Sequence, residues 1–247
     1  MRTFGSVSAV AVGVVVGGVA LGLMAWTRPL AVQGGGTVTG KIKFTGAKPA
    51  MPRIDMSDEP KCKAKYTTAP PTEETVIVNP NGTLANVFVY VKSGLPATYK
   101  APAPAGAVTL DQDGCRYHPH VFGVMVGQTI SIKNSDGILH NIKAKGKANR
   151  PFNISQPTLM TSSRAFEKPE VTVPLECNVH GWMHAWAGVL PHPFFSVSGA
   201  DGSFTIKGLP PGTYTIEAWH EKYGTQTASV TVTGTETKTA DLTFAAK

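Results

Sequence analysis

The chain has 247 residues, with 26 glycines, 19 prolines, only 16% charged residues and a formal charge of +7. So few charges, with so many Gly, Pro, Thr and Val, exclude an architecture of long charged helices and fit many short strands joined by turns. The lysines are dispersed (Lys41, Lys43, Lys61, Lys63, Lys65, Lys143, Lys145, Lys147) and form no basic helix interleaved with aromatics, which argues against nucleic acid as a partner.

In chain order, the first element is an apolar run. Val7 to Trp26 carries no charge and a single hydroxyl, Ser8. Twenty residues at ~1.5 Å each span ~30 Å, the thickness of a bilayer core. Neither "LMAW" nor "PLAV" makes a good signal-peptidase site, so residues 1–33 are expected to be a retained transmembrane helix. Gly13 and Gly17, and Gly18 and Gly22, form small-xxx-small steps of the kind that lets a partner helix approach in lipid. Arg2 at the short N-terminus favours N-inside topology. The expectation is a single pass through a bacterial inner membrane, with the bulk of the chain in the periplasm, where cysteines pair.

"QGGG" (Gln33 to Gly36) reads as a tether. Residues 34–106 follow, with strands at "TVTGKIKF" and "ANVFVYVK" and a Pro-rich linker at "APAPAGA". Residues 107–193 read as a second unit. "HVFGVMVGQTISIKNSD" is strand, Gly turn, strand and polar loop; His140 follows in "LHNIK"; "PEVTVPLEC" alternates up to Cys177. In residues 194–247, Asp201-Gly202 is a hairpin-type turn and "LPPG" separates two alternating strands.

The chemistry concentrates in "CNVHGWM". Its C-x2-H-x2-M spacing lets one short loop offer a thiolate (Cys177), an imidazole (His180) and a thioether (Met183). His140, 37 residues upstream, is placed to bring a second imidazole. Two His and one Cys with a long axial Met make a blue-copper donor set, and soft sulfur suits Cu(I) while imidazole suits both oxidation states.

These residues resemble the cupredoxin family. The strand "VFGVMVGQTISIKNSD", the pair His140-Asn141 and the closing "CNVHGWM" are similar to an amicyanin-type ligand loop. The resemblance covers about a third of the chain. It implies a Greek-key β-sandwich with type 1 copper held by His140, Cys177, His180 and Met183, with Asn141 holding the cysteine loop. Three features depart from the pattern: Gly181 stands where proline is common, His184 is a competing donor beside Met183, and no proline precedes His140. Residues 194–247 resemble the carboxypeptidase regulatory-like or transthyretin-like β modules, whose opening strand is similar to "GTVTGKIKF". Residues 34–106 would then be the first half of that sandwich with the cupredoxin-like unit inserted, two domains in series being the alternative.

The expected fold is therefore all-β, a cupredoxin-like Greek-key sandwich plus a second β-sandwich module behind one transmembrane helix. Three cysteines leave one over if two pair; a Cys62–Cys115 disulfide with Cys177 free is the expectation. A second metal site from Cys115, His118 and His120 is the alternative use of Cys115. His192 and His220, each beside aromatics, read as structural. No catalytic triad, H-E-x-x-H motif, phosphate loop or haem motif is present, so an enzyme is not expected. The functional expectation is single-electron transfer, with an exposed edge of His180 among Trp182, His184 and Trp186 as the electron exit. The partner would be a cytochrome or other redox protein, or an integral membrane complex. The rival expectation is an accessory subunit of a photosynthetic or respiratory complex, its copper site empty or vestigial, bracing the complex or docking a cytochrome.

Overall fold

The computed structural model describes Met1 and residues 34–246. The expected helix at residues 7–26 and its glycine face (Gly13, Gly17, Gly18, Gly22) lie outside the described residues, among which no helix is long and apolar enough to cross a membrane.

The regular structure of the described chain is strand, apart from one four-residue helix. The segment before the linker holds β1 (Gly36–Thr45), a four-residue helix α1 (Pro60–Lys63) and β2 (Phe88–Ser93). Nine strands follow: β3 (Val108–Asp113), β4 (Arg116–His118), β5 (Val121–Met125), β6 (Ile130–Asn134), β7 (His140–Ala144), β8 (Phe152–Gln156), β9 (Met160–Arg164), β10 (Glu170–Glu176) and β11 (His184–Leu190). The last six are β12 (Phe195–Val197), β13 (Ser203–Leu209), β14 (Gly212–His220), β15 (Gly224–Val232), β16 (Thr237–Thr239) and β17 (Leu242–Ala245).

Pairing divides these strands into four sheets. β1 pairs with β13, β16 and β17, and β2 lies between β12 and β14, with β15 outside β14. The two sheets share one core that includes Val38, Ile42, Val87, Val89, Phe204, Ile216 and Leu242. Strands β3–β11 form the other two sheets, ordered β5-β11-β10-β7-β8 and β4-β3-β6-β9, around a separate core that includes Leu110, Phe122, Ile132, Leu175 and Ala185. Every strand of the second sandwich thus lies between β2 and β12 in sequence, while the first sandwich is assembled from both ends. In sequence, the strands of residues 107–193 fall between the two groups of strands that build the first sandwich. The boundary is not clean, because Ile54, Met56 and Cys62 belong to the inserted core.

The two sandwiches meet through a third cluster. β2 alternates, sending Val89 and Val91, with Val87 just before it, to its own core and Phe88 and Tyr90 to the opposite face, as a period of two requires. Phe88 packs there with Val121 of β5 and Leu190 of β11. Its ring sits over two glycines. A Cβ on Gly188 would lie 2.3 Å from the Phe88 ring, and one on Gly123 2.3 Å from Phe195. The close approach of the sheets therefore depends on missing side chains. Gly188→Ala should destabilise the protein by about 1–3 kcal/mol through overpacking. Gly181→Ala, at an exposed position with nothing within 4 Å of the added Cβ, should not. Urea unfolding of both variants measures the difference.

Candidate metal centre

The seven residues Cys177 to Met183 connect β10 to β11, an antiparallel pair. The connection is pinned by its own backbone: the Cys177 N–H donates to the Met183 carbonyl (3.1 Å) and the Met183 N–H to the His180 carbonyl (2.9 Å). β7 flanks β10 with Lys143 opposite Glu176, so the start of β7 runs past the end of β10 and brings His140 to the loop. The ligand atoms of His140, Cys177 and His180 all lie within 4.8 Å of one another, and all three residues are buried. His140 Nδ1 is 3.0 Å from His180 Nδ1, and Cys177 Sγ is 3.8 Å from His180 Nδ1. Met183 is buried in the same core.

The sulfur is prepared for ligation. The His180 backbone N–H points at Cys177 Sγ (3.4 Å). Burial pushes the thiol up, but the hydrogen bonds of His140 and His180 and the backbone N–H groups of Asn141 and His180 outweigh it and bring Cys177 down to about 5. Asn141 Oδ1 accepts from the Asn178 N–H (2.7 Å), fastening the loop to β7, and also faces Cys177 Sγ (3.4 Å). The Tyr117 hydroxyl donates to the Asn141 carbonyl at 2.5 Å. Burial first, then the charge of Cys177, raise that phenol's pKa.

Asp136 holds the first imidazole. Its side chain is fully buried, 2.8 Å from His140 Nε2 and 2.7 Å from Lys65 Nζ. It also accepts the backbone N–H groups of Gly114 and Cys115, each at 2.8 Å. Burial works against the carboxylate, but bonds to His140, Lys65 and Cys115 hold its pKa down to about 2. With Nε2 committed to Asp136, His140 turns Nδ1 toward the other ligands. His180 does the same: its Nε2 faces Cys62 Sγ (3.7 Å) and Glu59 (3.8 Å). Two Nδ1 atoms 3.0 Å apart beside a favoured thiolate, in a pocket closed to water, are a donor set suited to copper or zinc.

Cys62 and Cys115 are disulfide-bonded and Cys177 is free. Cys115 therefore holds no thiolate for a second site, and His118 lies exposed on β4. The expected exposed edge of His180 is corrected: the residue is 0% exposed, covered by α1 and the disulfide. Trp182 does lie beside it, with ring centroids 5.1 Å apart and its indole N–H on the Cys115 carbonyl (2.9 Å). His184 and Trp186 do not, because alternation along β11 turns them away from Met183, Ala185 and Ala187, which enter the inserted core. His184 is therefore no competitor at this centre. His192 and His220 are buried: His192 Nε2 meets the Val91 carbonyl (3.0 Å), and His220 Nδ1 accepts the Lys222 N–H (3.1 Å). Sequence reasoning missed Asp136, Lys65 and Glu59; the one local signal was an Asp four residues before His140.

Residues 193–245 match the model of the carboxypeptidase regulatory-like domain. No curated protein matches the chain. Among solved structures, the chain is similar to a purple cupredoxin from Nitrosopumilus maritimus at 20% identity, covering 33% of this chain and 98% of that one (TM-score 0.29). It is similar to oxidised P96G amicyanin at 21%, covering 41% and 97% (TM-score 0.31). It is also similar to a copper-containing nitrite reductase from Thermus scotoductus SA-01 at 21%, covering 39% of this chain (TM-score 0.32). The match spans 25% of the nitrite reductase's length.

Asp136→Asn keeps the shape but loses the charge that orients His140. It should weaken metal binding at the centre by about 10–100-fold, measured by competition with a chelator.

Proposed function

We propose that the chain is a membrane-anchored, periplasmic cupredoxin-like protein that carries single electrons through a type 1 copper site and is not an enzyme. The observation that carries this reading is the convergence of His140, Cys177 and His180 in one buried pocket, with the thiol already shifted toward thiolate. Cys177, His140 and His180 would hold the copper, with Met183 as the weak axial donor. Bound copper would supply a one-electron couple there. The chain's own residues do the rest. Asp136 and Asn141 fix the first imidazole and the thiolate loop, so the pocket changes little between oxidation states. Burial keeps water from the ligands. Trp182, half-buried against His180, offers a π-surface where a cytochrome or a membrane complex would dock.

One observation favours a second reading. The Cys62–Cys115 disulfide and Glu59 cover the His180 edge from which an electron would leave. A covered edge suits an accessory subunit that braces a membrane complex, its centre vestigial.

Copper(II) added to the purified, reduced full chain separates the two. Electron transfer requires an intense visible charge-transfer band and a narrow hyperfine splitting in electron paramagnetic resonance. Cys177→Ser should abolish the band, because a hydroxyl is a hard, weak donor, while Met183→Leu should keep the colour and raise the potential. A folded chain that stays colourless and metal-free supports the bracing subunit.

A further inference from the structure

His120, His184 and Glu221 lie on the far side of β11 from the ligand loop, at the seam between the sandwiches. His120 immediately precedes β5, His184 opens β11, and Glu221 follows β14 of the flanking sandwich. Their ligand atoms lie within 4.8 Å of one another. The side chains of His120 and Glu221 are 3% and 10% exposed, and that of His184 is 28%. The imidazoles meet edge to face with centroids 5.0 Å apart.

The hydrogen bonds fix the tautomers. His120 Nδ1 is 3.2 Å from the His184 carbonyl, and His184 Nδ1 is 3.1 Å from the Trp182 carbonyl. A carbonyl only accepts, so each Nδ1 carries the proton. A ring in its neutral form then keeps a lone pair on Nε2, and both Nε2 atoms face the Glu221 carboxylate: His120 in direct contact with Oε1, His184 at 3.9 Å from Oε2. Three lone-pair donors pointing at one another in a buried seam repel unless something positive stands among them. Two added protons would serve; so would one divalent cation. The rest of the arrangement is that of a metal site. Backbone carbonyls hold the distal ring nitrogens, and the Trp186 indole N–H orients the carboxylate through Oε2 (3.0 Å). Two imidazoles and one carboxylate are a zinc-type donor set.

We propose that His120, His184 and Glu221 form a second metal site, which takes a zinc-type divalent cation and clamps the inserted sandwich to the flanking one. It is independent of the thiolate centre in ligands and in chemistry. The cross-link joins residues 101 apart in sequence, His120 to Glu221, and reinforces the contact of Trp186 with Trp219, whose rings lie 5.1 Å apart.

The test uses metal-free full chain carrying Cys177→Ala, which removes the thiolate centre from competition, and zinc as the probe. The expected result is one zinc per chain retained through gel filtration, with a rise in the thermal midpoint on zinc addition. Adding Glu221→Gln, which preserves shape and the indole hydrogen bond, should weaken zinc binding at least about tenfold and remove the thermal shift. His184→Asn, at the most exposed of the three positions, should do the same if Glu221→Gln fails to fold. A folded Cys177→Ala chain that takes up no zinc overturns the site. So does a folded Glu221→Gln or His184→Asn chain that binds zinc as tightly as its parent; an imidazolium–carboxylate pair would then account for the cluster.

Discussion

One buried carboxylate ties the thiolate centre together. Asp136 is removed from water, at a cost of several kcal/mol for an isolated charge, and every neighbour it uses to offset that cost belongs to a different part of the chain. Lys65 comes from the segment after α1, the Gly114 and Cys115 N–H groups from the turn between β3 and β4, and His140 from the start of β7. Neutralising it would release all three at once. The disulfide acts on the same elements: Cys115 is both a donor to Asp136 and the partner of Cys62. Closing a loop of 53 residues is worth about 4 kcal/mol in the chain-entropy model. The cover over His180 is thus fastened twice, by a covalent bond and by an ion pair, at points only three residues apart.

The same strand serves two sites. Alternation along β11 and the loop before it puts Met183 on the core side and His184 on the seam side, so neighbouring residues belong to chemically unrelated clusters. The first cluster is soft, sulfur-containing and dry; the second is hard-edged, carboxylate-containing and partly open.

The strands whose two faces differ in polarity were legible in the sequence. β1, β6 and β10 alternate because one face meets a core, and the ligand loop announces itself by its spacing. His140 was legible through its polar loop. β9 was not: nearly all of Met160–Arg164 is exposed, so no burial pattern marks it. Nor was the cover, since the burial of Ile54, Met56 and Cys62 in the inserted core depends on contacts far along the chain. The fully buried His180 follows from that cover, and this is why its expected exposure failed. The sequence pairs His184 with Met183 by adjacency, whereas the pleat separates them. The disposition of Glu221 toward His120 had no local signal at all.

The insertion has a consequence for the order of events during synthesis. β1 and β2 leave the ribosome before the other strands described, but their partners β12 to β17 lie beyond the whole inserted sandwich; Val38 of β1 must wait for Ile206. The inserted strands, with their shorter separations, can close while β1 and β2 still present unpaired edges. The flanking sandwich can therefore only finish last, on a nascent chain whose open edges are a hazard for association with other chains until then.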